Sequence, residues 1–233
     1  VIWPPVDNTL EKTLHDAMLP YVVIDGPAAP GRCAVRVDER LGMAMAVDYL
    51  ASLGHRRICF FGMEPEEKPS ANITARRWEY REGYISAMHA AGLATMPGRD
   101  HETRSGTESY DDLVAKYFDV TPQPTALITY DDDVALEAIS RLLLRGISIP
   151  GEVSVISLRD NFGANSTIQK IVGIPQLTCK SNMHEQIATV AVNKLMEMIE
   201  NDELIATDHT PQATVIKPEL IIRESTGPVK TSS

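Results

Sequence analysis

The chain is poor in cysteine, in aromatic residues and in positive charge, and each shortage removes a class of protein. Its three cysteines, Cys33, Cys59 and Cys179, lie far apart in 233 residues and form no CxxC pair. That argues against a disulfide framework and for a reducing compartment, so a cytoplasmic protein is expected. None of the six histidines stands in an HxxxH pattern or beside a cysteine pair, so no structural zinc site is expected. No run of about 18 apolar residues occurs, which leaves nothing to span a membrane as a helix. The opening Val1-Ile2-Trp3-Pro4-Pro5 has neither the basic start nor the apolar core and cleavage site of a signal peptide. Twenty-two Lys and Arg face 32 Asp and Glu, a formal net charge of −10, so no phosphate-gripping surface is expected within this chain. If the protein acts on DNA, the DNA-binding part lies elsewhere. Also missing are the GxxxxGK phosphate loop, the GxGxxG dinucleotide turn and the GxSxG nucleophile elbow. No enzyme activity and no cofactor are therefore expected.

What is present is an ordinary globular composition, 43% hydrophobic and 23% charged. β-Branched apolar runs alternate with amphipathic stretches of helical length, the pattern of parallel βαβ units. Strands are expected at Tyr21 to Asp25, Val35 to Asp38, Arg57 to Phe61, Ala126 to Thr129, Val153 to Ser157 and Ala213 to Ile222. Helices are expected from Glu39 to Leu53, from Asn72 or Thr74 to Ala91, from Glu108 to Phe118, from the Asp131-Asp132-Asp133 triplet to Gly146, and from Asn182 to Glu200. Met63 to Ser70, Gly98 to Gly106 and Arg159 to Gly173 read as loops, and 227–233 as a disordered tail. In an open parallel sheet, ligands sit beyond the carboxyl ends of the strands. Attention therefore falls on the loops after Ile2, Ile24, Phe61, Thr129 and Ser157. The acidic triplet has three readings: a divalent cation site, a helix start favoured by the helix dipole, or a set of acceptors for a polar ligand.

Several separate motifs, in order along nearly the whole chain, resemble the lac repressor / gal repressor family of bacterial regulators. They are Val37-Asp38 with Gly42, Ala46, Tyr49-Leu50 and Gly54-His55-Arg56-Arg57-Ile58, then Pro124-Thr125-Ala126 with Asp131-Asp132 and Ala135. Gly146, Ile149-Pro150-Gly151-Glu152-Val153-Ser154-Val155, Leu177-Thr178, and Pro218 to Thr226 complete the set. The resemblance implies an α/β fold of two doubly wound parallel-sheet lobes joined by crossing segments, of the type I periplasmic-binding-protein kind. It places the crossings near Gly54, Thr178 and Asp208. Lobe one would be 1–54 plus 179–207, with its amino-terminal part missing, and lobe two 55–178 plus 208–226.

Carried over residue by residue, the resemblance implies effector contacts at Trp3, Asp38 and Asp131. Tyr80 stands where the family has an arginine three residues before the Gly83-Tyr84 pair, and Arg76, Arg77 and Arg81 are neighbouring guanidinium groups. Arg159 stands where the family has an aspartate that clamps ligand hydroxyls. Replacing a carboxylate with a planar five-donor fork shifts preference from neutral polyols toward ligands bearing carboxylate, phosphate or several acceptors. Alternatively Arg159 pairs with Asp131 and leaves Asp160 for the ligand. His184 falls where the family often has an aromatic residue near the cleft.

The function implied is the effector-binding and dimerisation region of a transcriptional repressor. Its partners would be a sugar, sugar derivative or anionic metabolite, a second copy of the chain, and operator DNA contacted through an absent N-terminal helix-turn-helix, with no membrane. A periplasmic solute-binding protein is the alternative.

Overall fold

The computed structural model describes residues 1–2, 8–26, 32–62, 73–95, 109–161, 163, 169, 173–201 and 212–230. Its elements are α1 (Asn8–Asp16), β1 (Val23–Ile24), β2 (Cys33–Val37), α2 (Glu39–Ser52), β3 (Ile58–Phe61), α3 (Ile73–Ala90) and α4 (Tyr110–Phe118). Next come β4 (Ala126–Thr129), α5 (Asp132–Leu144), β5 (Ser154–Ser157), β6 (Thr178–Lys180), α6 (His184–Glu200), β7 (Gln212–Ile216) and β8 (Leu220–Ile221). Among the described residues no helix is long and apolar enough to cross a membrane.

The chain builds two compact units. The first is Val1–Asp38, Pro65–Trp78 and Met183–Pro218, and the second is Glu39–Glu64, Glu79–Asn182 and Glu219–Ser233. Boundaries are expected near Gly54, Thr178 and Asp208, the last outside the described residues; the units change over at Asp38–Glu39, Asn182–Met183 and Pro218–Glu219, and also at Glu64–Pro65 and Trp78–Glu79. Helix α2 decides the first of these. Its Met43, Ala46, Val47 and Leu50 are buried in one cluster with Ile58, Phe60 and Tyr84, all of the second unit. Each large apolar side chain so buried contributes about 1.5–3 kcal/mol, so that face fixes where the helix packs.

The second unit is a five-stranded sheet in the order β3-β4-β5-β6-β8, parallel except for the β6–β8 pair. Successive side chains of a strand point to opposite faces. Accordingly Cys59, Phe61, Leu127 and Val155 pack under α4 and α5, while Ile58, Phe60, Ala126, Ile128 and Ile156 pack under α2 and α3. Both faces are covered, which is why these strands read as continuous apolar runs rather than as alternating ones.

The first unit has a three-stranded parallel sheet, β1-β2-β7, with Ile2 bridged to Val23 beside it. Cys33, Val35, Val37 and Ile216 meet Ile187 and Ala191 of α6 there.

Three local expectations change. The strand expected over Ala213 to Ile222 is two strands, β7 in the first unit and β8 in the second, interrupted at Lys217 to Glu219 where the chain changes unit. Helix α4 starts at Tyr110 rather than Glu108, because Ser109 caps it and forms a reciprocal capping box with Asp112. Part of the presumed tail is fixed: the Val229 amide donates to the Leu53 carbonyl at 3.0 Å, and the Gly227 amide donates to Ser154 Oγ at 3.0 Å. The helix start at Asn72 and the loops at Met63 to Ser70 and Gly98 to Gly106 lie outside the described residues.

Candidate ligand-binding site

At the carboxyl edge of the second unit's sheet stands a group of charged and polar side chains. Strand β4 leads into Tyr130 and Asp131. Asp131 is extended (φ −147, ψ 177), and its carboxylate accepts the Val134 amide at 2.9 Å. It therefore caps α5, where unpaired amides and the helix dipole favour a negative charge. Asp132, 1% exposed, accepts the Asn161 backbone amide at 2.6 Å and its side-chain amide at 2.7 Å. Asp133 is exposed. The triplet's carboxylates thus have different jobs: helix cap, loop anchor and solvated charge.

Strand β5 delivers the next group. Ser157 Oγ accepts the Arg159 amide at 3.1 Å and shapes the turn into the loop; Arg159 is partly exposed. Asp160 accepts both ends of the Arg223 guanidinium, at 2.9 and 2.7 Å, with side chains 13% and 9% exposed. Arg223 also donates to the Leu177 carbonyl at 2.8 Å and to Cys179 Sγ at 3.4 Å. Hydrogen bonding to Asp160 raises the Arg223 pKa above its usual value. Burial, with Asp160 nearby, pushes the Cys179 thiol far up, so it stays protonated. Asn182 links the strand ends: its Oδ1 accepts the Asp160 amide at 3.4 Å and its side-chain amide donates to Asn161 Oδ1 at 3.1 Å.

Strand β6 ends in a buried charge. Lys180 Nζ lies 2.6 Å from Glu39 Oε2, with side chains 3% and 5% exposed. The ammonium also stands 5.9 Å from the centre of the Tyr80 ring. Tyr80 is fully buried and meets Tyr130 edge-on at 5.5 Å. Arg81, one residue on, is partly exposed and pairs with Glu82 at 3.2 Å.

In the first unit, Asp25 closes β1 in a left-handed conformation (φ 59). Arg76 of α3 binds it twice, donating to its carbonyl at 2.9 Å and to its carboxylate at 2.9 Å. Asp38 follows β2, half-buried, its amide bonded to the Ile216 carbonyl at 2.9 Å. His184 is the exposed first residue of α6, after Met183 at φ 52. Trp3 and the Arg77 side chain lie outside the described residues.

Of the sequence candidates, Tyr80, Asp131, Arg159 and Asp160 fall in the second unit around this edge, while Asp38 and His184 belong to the first. Sequence reasoning missed Glu39, Lys180, Asn161, Asn182, Arg223 and the Asp25–Arg76 pair. Nothing local marked Lys180, since Ile174 to Cys179 mixes apolar residues with Gln176 and Thr178 and its partner Glu39 is 141 residues away.

Parallel sheets with charged side chains massed past their strand ends define the class of two-unit α/β proteins that hold small ligands beyond those ends. The chain belongs to the family of periplasmic binding protein-like domains, whose model matches residues 47–226. It is 29% identical over 212 residues to the HTH-type transcriptional repressor PurR of Actinobacillus pleuropneumoniae serotype 3, covering 89% of this chain and 57% of that one. It is 26% identical over 221 residues to the arabinose metabolism transcriptional repressor of Geobacillus stearothermophilus, covering 92% of this chain and 55% of that one. The crystal structure of a LacI transcriptional regulator from a Rhodococcus species superposes with a TM-score of 0.73 at 25% identity, covering 97% of this chain and 77% of that one. The chain spans about half the length of the curated relatives it matches.

Proposed function

We propose that this chain is the effector-binding region of a transcriptional regulator of the lac repressor / gal repressor kind. A small metabolite is its effector, and operator DNA is reached through a segment outside this sequence. Its likeness to named repressors supports the regulatory branch over a periplasmic solute-binding protein. The region works as a homodimer, and effector binding stabilises one arrangement of the two units over another, shifting the DNA-competent population by the difference in affinity.

The observation that carries the ligand class is the fate of the acidic groups at the sheet edge. Asp132 is occupied by Asn161, Asp160 is held by Arg223, and Asp131 spends an oxygen on the helix cap. These carboxylates are thus largely committed, and the same loop also carries Arg159, whose guanidinium is a planar fork of five donors. An effector rich in acceptors, such as a sugar phosphate, sugar acid or other anionic metabolite, fits this balance better than a neutral sugar. Asp131, Arg159 and Arg81 of the second unit remain proposed contacts, as do Asp38, His184, Trp3 and Arg77, which belong to the first; Tyr80 is fully buried and leaves the set. Asp160 acts by holding Arg223.

A thermal-shift series over neutral sugars, sugar acids, sugar phosphates and purines tests this. A ligand at about 100 times its Kd adds about 2.7 kcal/mol to the native state, so a true effector gives a clear rise. The reading expects the rise from an anionic compound. A rise from neutral sugars alone overturns the ligand class, and a secretory signal upstream of this region in the full-length protein overturns the regulatory reading.

A further inference from the structure

The chain passes between its units at Asp38–Glu39, Asn182–Met183 and Pro218–Glu219. Two further changes, at Glu64–Pro65 and at Trp78–Glu79 inside α3, bound a short excursion into the first unit. The first three passages are joined to one another in pairs. On the first unit's side, the Asp38 amide donates to the Ile216 carbonyl at 2.9 Å, tying the first passage to the third. On the second unit's side, the Ser181 amide donates to the Glu219 carbonyl at 2.8 Å and Lys180 faces Leu220 in the antiparallel ladder, tying the second to the third. The remaining side of the triangle is the Lys180–Glu39 ion pair, 2.6 Å long, between residues 141 apart in sequence.

This pair differs in kind from the two backbone ties. Both its side chains are almost completely buried, with exposures of 3% and 5%. A charge there has no water to turn to, so separating the pair is far more costly than breaking a surface contact. Glu39 is the first residue of the second unit after the first passage, and Lys180 lies two residues before Asn182, the last before the second passage. Just beyond Asn182 stands Met183 in the left-handed region (φ 52), a conformation costly for a side-chain-bearing residue. Backbone irregularity is thus found immediately outside the tie rather than within it.

We propose that Lys180 and Glu39 are positioning residues that lock the first passage to the second, closing the triangle so that the three passages move as one pivot. Asn182 then joins that pivot to the Arg159–Asn161 loop through its bonds to Asp160 and Asn161. The proposal goes beyond the functional reading and does not depend on it, since it needs no ligand.

Amide hydrogen exchange of the full chain, at a pH where exchange is limited by opening, tests it at the Asp38 and Ser181 amides. Equal opening rates are expected in the wild type and in Lys180→Arg, which keeps the charge. In the double variant Lys180→Met with Glu39→Gln, which leaves no charge buried alone, the two rates should diverge by about tenfold or more while the β3 amides from Ile58 to Phe61 keep their protection. The proposal is overturned if the rates stay equal in the double variant, if they are already unequal in the wild type, or if Lys180→Arg separates them. It is also overturned if β3 loses protection in the double variant, since the pair would then hold the whole unit rather than its passages.

Discussion

Substituting Asp160→Asn should destabilise the second unit by about 3 kcal/mol. The value follows from the site: a bidentate carboxylate–guanidinium pair at 2.9 and 2.7 Å, with side chains 13% and 9% exposed. Removing one partner of a buried pair costs about 3–5 kcal/mol, and the residual exposure and the acceptor kept by the amide place this case at the low end. Arg223 would keep its bonds to Leu177 and Cys179 but lose the charge it faces, and the new amide group would turn one donor toward another. For a unit of this size the loss corresponds to a fall in Tm of about 6–12 °C. Urea unfolding followed by circular dichroism gives the free energy, and an unchanged slope with denaturant would confirm that only stability moved. The double variant Asp160→Leu with Arg223→Met should recover most of the loss, because an apolar pair of similar volume removes both charges together. A single-variant cost below about 1 kcal/mol, as for an exposed pair, would refute the assignment of Asp160 to structure and return it to the ligand.

His55 is buried against Thr125, Ser154 and the Gly227 carbonyl, and desolvation holds its pKa below the ordinary 6.5. The unfolded chain therefore binds the extra proton first: His55 leaves stability intact above pH 6.5, and stability falls as the pH drops below that value until the folded-state pKa is reached. Urea midpoints from pH 7.5 to 5 should show this slope, and His55→Asn should flatten it. Gly54 has φ +92 and a Cβ there would stand 2.8 Å from Val229 Cγ1, so Gly54→Ala should cost about 2 kcal/mol in urea unfolding. Gly92→Ala, at φ +67 with nothing within 4 Å, should cost about 1 kcal/mol, the difference reporting the seating of residues 226–230. Asp131→Ala should lose about 1 kcal/mol of helix capping in the same assay without any ligand, whereas Asp131→Asn should keep the cap.

The periodicity of the sequence located β3, β4 and β5 closely, because strands covered on both faces write continuous apolar runs such as Ile58 to Phe61 and Ala126 to Thr129, but it gave no strand at β6, whose three residues Thr178-Cys179-Lys180 form no such run. The passages between units were less legible. One strand is expected over Ala213 to Ile222, although Lys217-Pro218-Glu219 interrupts its apolar residues with two charges and a proline, the local signal that one strand ends and another begins. Helix α2 looks the same whichever unit it packs on, since its pattern specifies an apolar face and not the partner face. Of the motif residues, Asp131 follows β4, and Arg159 and Asp160 follow β5, as their place after two apolar runs indicated. The ion-pair partners were not legible, because Glu39–Lys180 and Asp160–Arg223 join residues far apart in sequence, and an ion pair leaves no periodic trace. The Asp131 cap is the exception, since a carboxylate just before an apolar helical run is a local signal.

The central claim is that the loop after β5 selects an effector rich in acceptors through Arg159. Calorimetric titration of a sugar phosphate and of its neutral parent sugar against the wild type and Arg159→Asp tests it most directly. The account predicts that the variant loses the anionic ligand by about 1.5–3 kcal/mol, a factor of ten or more in Kd, while the neutral sugar changes little. Unchanged binding of the anion, or an equal loss for both ligands, would contradict it.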